Sequence, residues 1–322
     1  MTRPALIGDI GGTNARFALV TPGAFAPRDI LSLPCADYPG LVEAVTDYLA
    51  RVGATAESAP HEACLAFACP IRGDRVSMTN NAWSFSRAEA QHDLGLTRFK
   101  AINDFTAQAL GVPHVADGDL VTIQSGESDA QATRLVIGPG TGLGVAGLYP
   151  GRHAWVVLPT EGGHVTFAPT DEREQNLLRH FRNRYGRVSV ERILSGQGLY
   201  DLYLAHCSLK GANPSCHDPA EVTEAAASGD GVARDTLLRF LKILGDVCGD
   251  AALMLGARGG VTLCGGILPR LVDWLPKSRF CEAFAAKGRL SGYTAAIPVQ
   301  LVTAAWPGLL GAAEALHNEE VE

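Results

Sequence analysis

Residues 5–20 read ALIGDIGGTNARFALV: Asp9 nearly closes one apolar run, Gly11 and Gly12 break it, and a second run returns from Ala15 to Val20. Two short apolar runs around a glycine break predict a hairpin. The theme returns at 134–149, RLVIGPGTGLGVAGLY, with Gly138, Gly140 and Gly142 at the break. A third cluster, Gly265 and Gly266, follows the apolar run GVTLC at 260–264. Glycine lets a ligand approach the backbone closely, and successive N–H groups in such turns form concavities that favour anions. Each cluster alone reads as an ordinary turn. Together they predict a cradle in which the first two turns act as jaws around one polyphosphate and the third offers a flat face to a nucleoside. GxxxxGK[ST] is absent, and no GxGxxG opens a helix here, so hairpins must make the cradle. Asp9 repels phosphate but suits a hydrated Mg²⁺, which keeps most of its waters.

Outward from these turns, strands and helices alternate. GLVEAVTDYLARV at 40–52 has helical spacing, and Ser86 with Glu89 fits a capping box. Strands are expected near Cys64–Ala68 and Arg75–Met78, and FKAIND is a strand ending in Asn103 and Asp104. Helices are expected at 172–184, 188–194 and 231–256, with a last strand in PVQLV and a closing helix at 306–316. Lys210–Pro219 reads as a surface loop. This order predicts an α/β class with two domains, each on a mixed sheet. The expected division is 1–110 plus about 303–322 against 111–302.

Composition narrows the class further. The chain has 322 residues, of which 47% are hydrophobic and only 19% charged, which excludes general disorder. A chain of this length buries ~75% of its unfolded surface, so the core needs no staple. Its net charge of −7 argues against a nucleic-acid surface. The eight cysteines form no CxxC, and several sit in apolar runs such as ACLAFACP, so reduced thiols in the cytoplasm are expected. No leader and no membrane-length apolar run is read from the sequence.

DIGGTNARFAL, GPGTGLGVA and LCGGILPR resemble the two phosphate motifs and the adenosine motif of the actin-like sugar kinases. The closer resemblance is to the bacterial glucokinases of the non-ROK type. AFACPIRGDRVSMTNNAWSFS, INDFTAQALG, LPTEGGHVTFAP, RILSGQGLYDLY and WPGLLGAAEAL extend it over nearly the whole chain. ROK kinases carry a cysteine-rich zinc segment, and no such cluster occurs here. The resemblance implies a two-domain actin-like (ribonuclease H-like) ATPase fold with a cleft between domains. It also implies ATP-dependent phosphorylation of D-glucose to glucose 6-phosphate, with Mg²⁺, in a homodimer. Gly8, Asp9, Ile10, Gly11, Gly12, Thr13, Gly140, Thr141, Gly142, Gly265 and Gly266 would then bind ATP.

The sugar-directed residues have their own chemistry. A sugar hydroxyl is a poor nucleophile until a carboxylate in hydrogen-bond reach accepts its proton. Asp104, delivered by a strand end, can do this, although Asn-Asp after a strand also reads as a helix cap. Because phosphoryl transfer depends mainly on alignment, an aspartate near its ordinary pKa suffices. Glu161 and His164 flank two glycines and can face one small polar ligand, but are too few for a structural zinc site. The resemblance makes Asp104 the base and has Asn103, Glu161, His164 and Glu191 contact the sugar, with Asn80 a further contact. Alone, Glu191 reads as a surface helical residue.

RHFRNRYGR at 179–187 reads as a solvated helix face, and Trp83 and Phe85 as packing groups. No lysine or arginine stands at an evident phosphate position, so backbone donors and Mg²⁺ must carry the charge. Alternatives are a kinase for another hexose or N-acetylhexosamine, a non-catalytic sugar sensor, or an actin-like ATPase or phosphatase. A coupled assay with glucose and ATP separates them.

Overall fold

The computed structural model describes residues 3–321. The chain opens with β1 (Ala5–Ile10), β2 (Asn14–Val20), β3 (Arg28–Pro34), α1 (Leu41–Arg51), β4 (Glu62–Phe67), β5 (Arg75–Ser77) and β6 (Ser84–Ser86). There follow α2 (Arg87–Asp93), β7 (Arg98–Asn103), α3 (Asp104–Gly111), β8 (Leu120–Gln124), β9 (Arg134–Pro139), β10 (Leu143–Pro150) and β11 (Trp155–Pro159). Four helices come next: α4 (Glu172–Tyr185), α5 (Gly196–Lys210), α6 (Pro219–Ala227) and α7 (Gly231–Leu255). The chain ends with β12 (Val261–Leu263), α8 (Phe280–Ala285), α9 (Ser291–Ala295), β13 (Val299–Val302) and α10 (Pro307–His317).

The chain forms two compact units. The first holds the described residues up to Asp119, then Leu148–Leu158, then the residues from Ala304 on; the second holds Leu120–Gly147 and Pro159–Thr303. This differs from the expected division in two places. Residues 111–119 stay with the first unit, where His114 stacks on Phe25 and bonds Glu314 at 2.8 Å. Leu148–Leu158 joins it too, and Asn318 donates to the Trp155 carbonyl at 2.7 Å. Such long-range contacts leave no local trace in the letters.

In the first unit, five strands lie in the order β3-β2-β1-β4-β7. β1 is antiparallel to β2 and parallel to β4, and β4 is parallel to β7. The inner strands are apolar because both faces are covered; Leu6, Ile7, Ile10, Leu65 and Phe67 are fully buried. Helices α3 and α10 pack backbone to backbone. A Cβ on Gly311 would lie 1.7 Å from the Ala107 carbonyl oxygen, and one on Gly111 would lie 2.0 Å from that of Pro307. Only glycine permits this approach. Lys100, buried under the end of α10, donates to the carbonyls of Ala315, Asn318 and Val321 at 2.9, 2.7 and 2.6 Å.

In the second unit the strands lie in the order β10-β9-β12-β13-β8, with β12 parallel to both β9 and β13 and β8 antiparallel to β13. Its core includes Leu135, Ile137, Leu237, Phe240, Leu244 and Leu263. Glu174 is fully buried and meets Arg239 and Lys242, each at 2.7 Å. The helix expected at 188–194 is a series of turns, and the helix starts at Gly196, capped by Ser195 accepting the Gly198 amide at 3.1 Å. Helices α5 and α6 had no clear stripe in the sequence; in α5, Leu199, Leu202, Tyr203, Ala205 and Cys207 are all buried, on more than one face. All eight cysteines are unpaired, and seven are buried. No described helix is long and apolar enough to cross a membrane.

Candidate active site

In the first unit, Asp9 is the penultimate residue of β1, and the turn Gly11–Thr13 carries the chain into β2. The Gly11 amide donates to the Asn14 carbonyl at 2.9 Å, whereas the amides of Gly12 and Thr13 make no backbone hydrogen bond among the described residues. Those donors remain for an anion. Gly12 lies against Asn80, whose Cβ would stand 2.7 Å from a Cβ on Gly12. Asn81, absent from the sequence reading, donates to the Gly11 carbonyl at 3.3 Å and holds the turn. Gly8 and Ile10 lie within β1, packed into the sheet. A Cβ on Gly8 would meet Leu65 at 2.8 Å, and Ile10 is fully buried, so both build the sheet behind the turn.

Asp9 pairs with Arg16 at 3.7 Å. The two are register partners across the hairpin, a relation obtained by counting outward from the turn. Arg16 thus stands beside the phosphate-directed turn, a cation that the sequence reading did not single out. Its guanidinium lies 4.9 Å over the Trp306 ring, and its Nε is buried without a hydrogen-bond partner. Burial raises the Asp9 pKa, and Arg16 offsets part of that rise. An ionised Asp9 therefore calls for further positive charge. Among the described residues no group of three metal-ligating side chains occurs, so a full protein cage for a metal is absent. One carboxylate short of positive charge fits a water-rich Mg²⁺ carried in on phosphate.

At the end of β7, Asn103 caps α3 by accepting the amides of Phe105 and Thr106 at 2.9 and 3.2 Å. Its Nδ2 donates to the Cys69 carbonyl at 3.3 Å and to Asp104 Oδ1 at 3.0 Å. Asp104 Oδ1 also accepts the Phe105 amide at 2.8 Å, while Oδ2 has no hydrogen-bond partner among the described residues. Burial first, and then the charge of Asp9, push the Asp104 pKa up to about 6. That value exceeds the ordinary one expected from sequence. The cap reading and the base reading hold together: the cap uses Asn103 and one Asp104 oxygen, leaving the other free.

In the second unit, the turn between β9 and β10 is closed by Gly140 donating to the Gly142 carbonyl at 2.7 Å, and Gly196 donates to the Gly140 carbonyl at 2.9 Å. Thr141 at its tip is exposed. The third cluster packs directly on this turn, since a Cβ on Gly265 would lie 2.5 Å from the Pro139 carbonyl oxygen; Gly265 has φ +87°, which favours glycine. The amides of Thr141, Gly142, Gly265 and Gly266 make no backbone hydrogen bond among the described residues.

Glu191 touches the same turn. Its Oε2 accepts the Leu143 amide at 2.9 Å, and its Oε1 stands 3.9 Å from His164 Nε2. Glu161 Oε2 is 4.0 Å from that nitrogen, so the imidazole sits between two carboxylates. The glycines of EGGH are steric necessities: Cβ atoms on Gly162 and Gly163 would meet Val145 at 2.9 Å and the Leu143 carbonyl oxygen at 2.3 Å. Arg187, read as part of a solvated face, donates to the His164 carbonyl at 2.6 Å, and Arg184 pairs with Asp201 at 2.7 Å. Trp83 is buried packing as expected, with its indole N–H on the Tyr38 carbonyl at 3.1 Å.

Thus the first unit gathers Asp9, Arg16 and Asp104, and the second joins the Gly140–Gly142 turn to Glu191, His164 and Glu161. A model of the glucokinase family matches residues 6–319. The glucokinase of Chromohalobacter salexigens is 67% identical over 321 residues, covering 100% of both chains. That of Hahella chejuensis is 55% identical and covers 98% of each. Among solved structures, a glucokinase from an Antarctic psychrotroph superposes with TM-score 0.90 at 38% identity, covering 99% of this chain and 100% of that one.

Proposed function

The chain belongs to the glucokinase family, and from that premise we propose that it transfers the γ-phosphoryl group of ATP to the 6-hydroxyl of D-glucose with Asp104 as general base. The observation that carries the assignment is the unpartnered Oδ2 of Asp104 on a carboxyl whose other oxygen is anchored. In the proposed step Oδ2 takes the proton of the sugar hydroxyl as that oxygen attacks phosphorus and the bond to the ADP oxygen breaks. Glu161, His164 and Glu191 accept or donate hydrogen bonds at the sugar hydroxyls. Asn103 joins them by exchanging its longest contact, the one to Cys69, and Asn80 contacts sugar beside the Gly12 turn. The unbonded amides of Gly12, Thr13, Thr141 and Gly142 bind phosphate oxygens, and Gly265 and Gly266 face the nucleoside. Mg²⁺, held at Asp9 through water, supplies charge neutralisation on the phosphates when bound.

The experiment is a coupled assay with ATP across glucose, fructose, mannose and N-acetylglucosamine, run on the wild type and on Asp104→Ala. Turnover on glucose that depends on Asp104 supports the reading; equal turnover by the variant removes Asp104 from the role. A homodimeric, cytoplasmic enzyme is part of the same proposal, and sedimentation equilibrium reads the assembly.

A further inference from the structure

Within the second unit, α4, α5, α7 and the segment preceding α8 line a cavity of about 560 Å³. Its wall contains none of the glycine turns, nor Glu161, His164 or Glu191. Six cationic side chains reach it against one carboxylate, Asp235, in a protein whose net charge is −7. Four of the six are committed elsewhere. Arg239 and Lys242 are held by Glu174, Lys210 pairs with Asp235 at 2.5 Å, and Arg279 bonds Glu282. Arg173 and Lys277 make no ion pair among the described residues, and the Lys277 ammonium stands 5.4 Å over the Trp274 ring. Both are exposed at the cavity wall.

His206 gives the cavity a second kind of specificity. Its Nδ1 lies 2.8 Å from Thr236 Oγ1, whose own proton goes to the Val232 carbonyl at 2.8 Å. The hydroxyl can therefore only accept, so Nδ1 carries the proton and Nε2 is left as an acceptor. Burial, followed by the charge of Arg239, keeps the imidazole neutral by lowering its pKa to about 4. A bare inorganic anion gains nothing from that nitrogen. A hydroxyl group does.

We propose that this cavity is a second ligand site, which binds a phosphorylated polyol. The phosphate is held by Arg173 and Lys277, a hydroxyl donates to His206 Nε2, and the carbon chain lies on Leu209 and Leu238. The volume falls within the ordinary range of small-ligand sites, roughly 300–1,000 Å³.

The test is isothermal titration of the full chain, saturated with glucose and a non-hydrolysable ATP analogue, with glycerol 3-phosphate, inorganic phosphate and glycerol as separate titrants. One site that prefers glycerol 3-phosphate is expected. The double reversal Arg173→Glu with Lys277→Glu weakens it about a hundredfold, roughly tenfold per charged hydrogen bond. Because both side chains are exposed, the core is untouched, and turnover of glucose and ATP without added phosphate ester persists. His206→Phe removes the preference for glycerol 3-phosphate over phosphate. No heat at about 10 mM titrant, or heats unchanged by the double reversal, overturns the proposal. So does a change in sedimentation on reversal without ligand binding, which would assign the face to a second copy of the chain.

Discussion

Glu191 Oε2 accepts the Leu143 amide at 2.9 Å, which ties a sugar-directed carboxylate to the first residue after a phosphate-directed turn. The same oxygen would stand 2.5 Å from a Cβ on Gly142, so turn and carboxylate fit only with glycine there. In the proposed reaction one side chain thereby serves two ligands.

Glu191→Ala is expected to raise KM for both glucose and ATP. It leaves the Leu143 amide without its acceptor, at a cost of ~1–3 kcal/mol. Glu191→Gln keeps an acceptor for that amide but loses the charge beside His164, so it raises KM for glucose more than for ATP. Steady-state kinetics with each substrate varied reads the split; an unchanged ATP KM in Glu191→Ala would show the two ligands to be uncoupled.

Asp104→Ala is expected to lower kcat by about 10²–10⁴, the usual worth of a positioned base. Calorimetric glucose affinity should stay within about tenfold, as for the loss of one hydrogen bond.

The raised Asp104 pKa has a defined sign. A base must be ionised, so kcat/KM for glucose should rise with pH through about 6. For stability the direction reverses: the fold favours the protonated carboxyl, and that contribution is complete below the ordinary 3.8 and lost as pH rises through about 6. Asp104→Asn, which cannot ionise, should therefore melt higher than the wild type at pH 8 and lose that advantage at pH 4. Melting curves at the two pH values check this.

Gly311→Ala drives a methyl into the Ala107 carbonyl, 1.7 Å away, and forces α3 and α10 apart. Destabilisation of at least ~1–3 kcal/mol is expected from overpacking. Because Asp104 opens α3, kcat should fall as well. Urea unfolding and kinetics on the same preparation measure both effects.

What the letters disclosed follows from how local each feature is. The glycine turns and the Ser86 cap were legible because each depends on residues within a few positions, and Ser86 does accept the Glu89 amide, at 3.1 Å. The EGGH pair was legible as chemistry, but the reason for its glycines lay on β10, some fifteen to twenty residues away. Arg16 carries a legible signal too, because counting the hairpin register from Gly11 and Gly12 sets it opposite Asp9. Asn81 had no signal at all, since an exposed-looking Asn beside another Asn names no partner. Helix α5 escaped because burial on several faces erases the stripe that marks an amphipathic helix.

The clasp of α10 against α3 also fixes an order of events during synthesis. The strands β1, β4 and β7 leave the ribosome early, whereas the helix that packs on β1 and β4 is made about 200 residues after α3, or on the order of 10–40 s later. Through that interval the nascent sheet lacks one of its apolar covers, until Gly311 reaches Ala107.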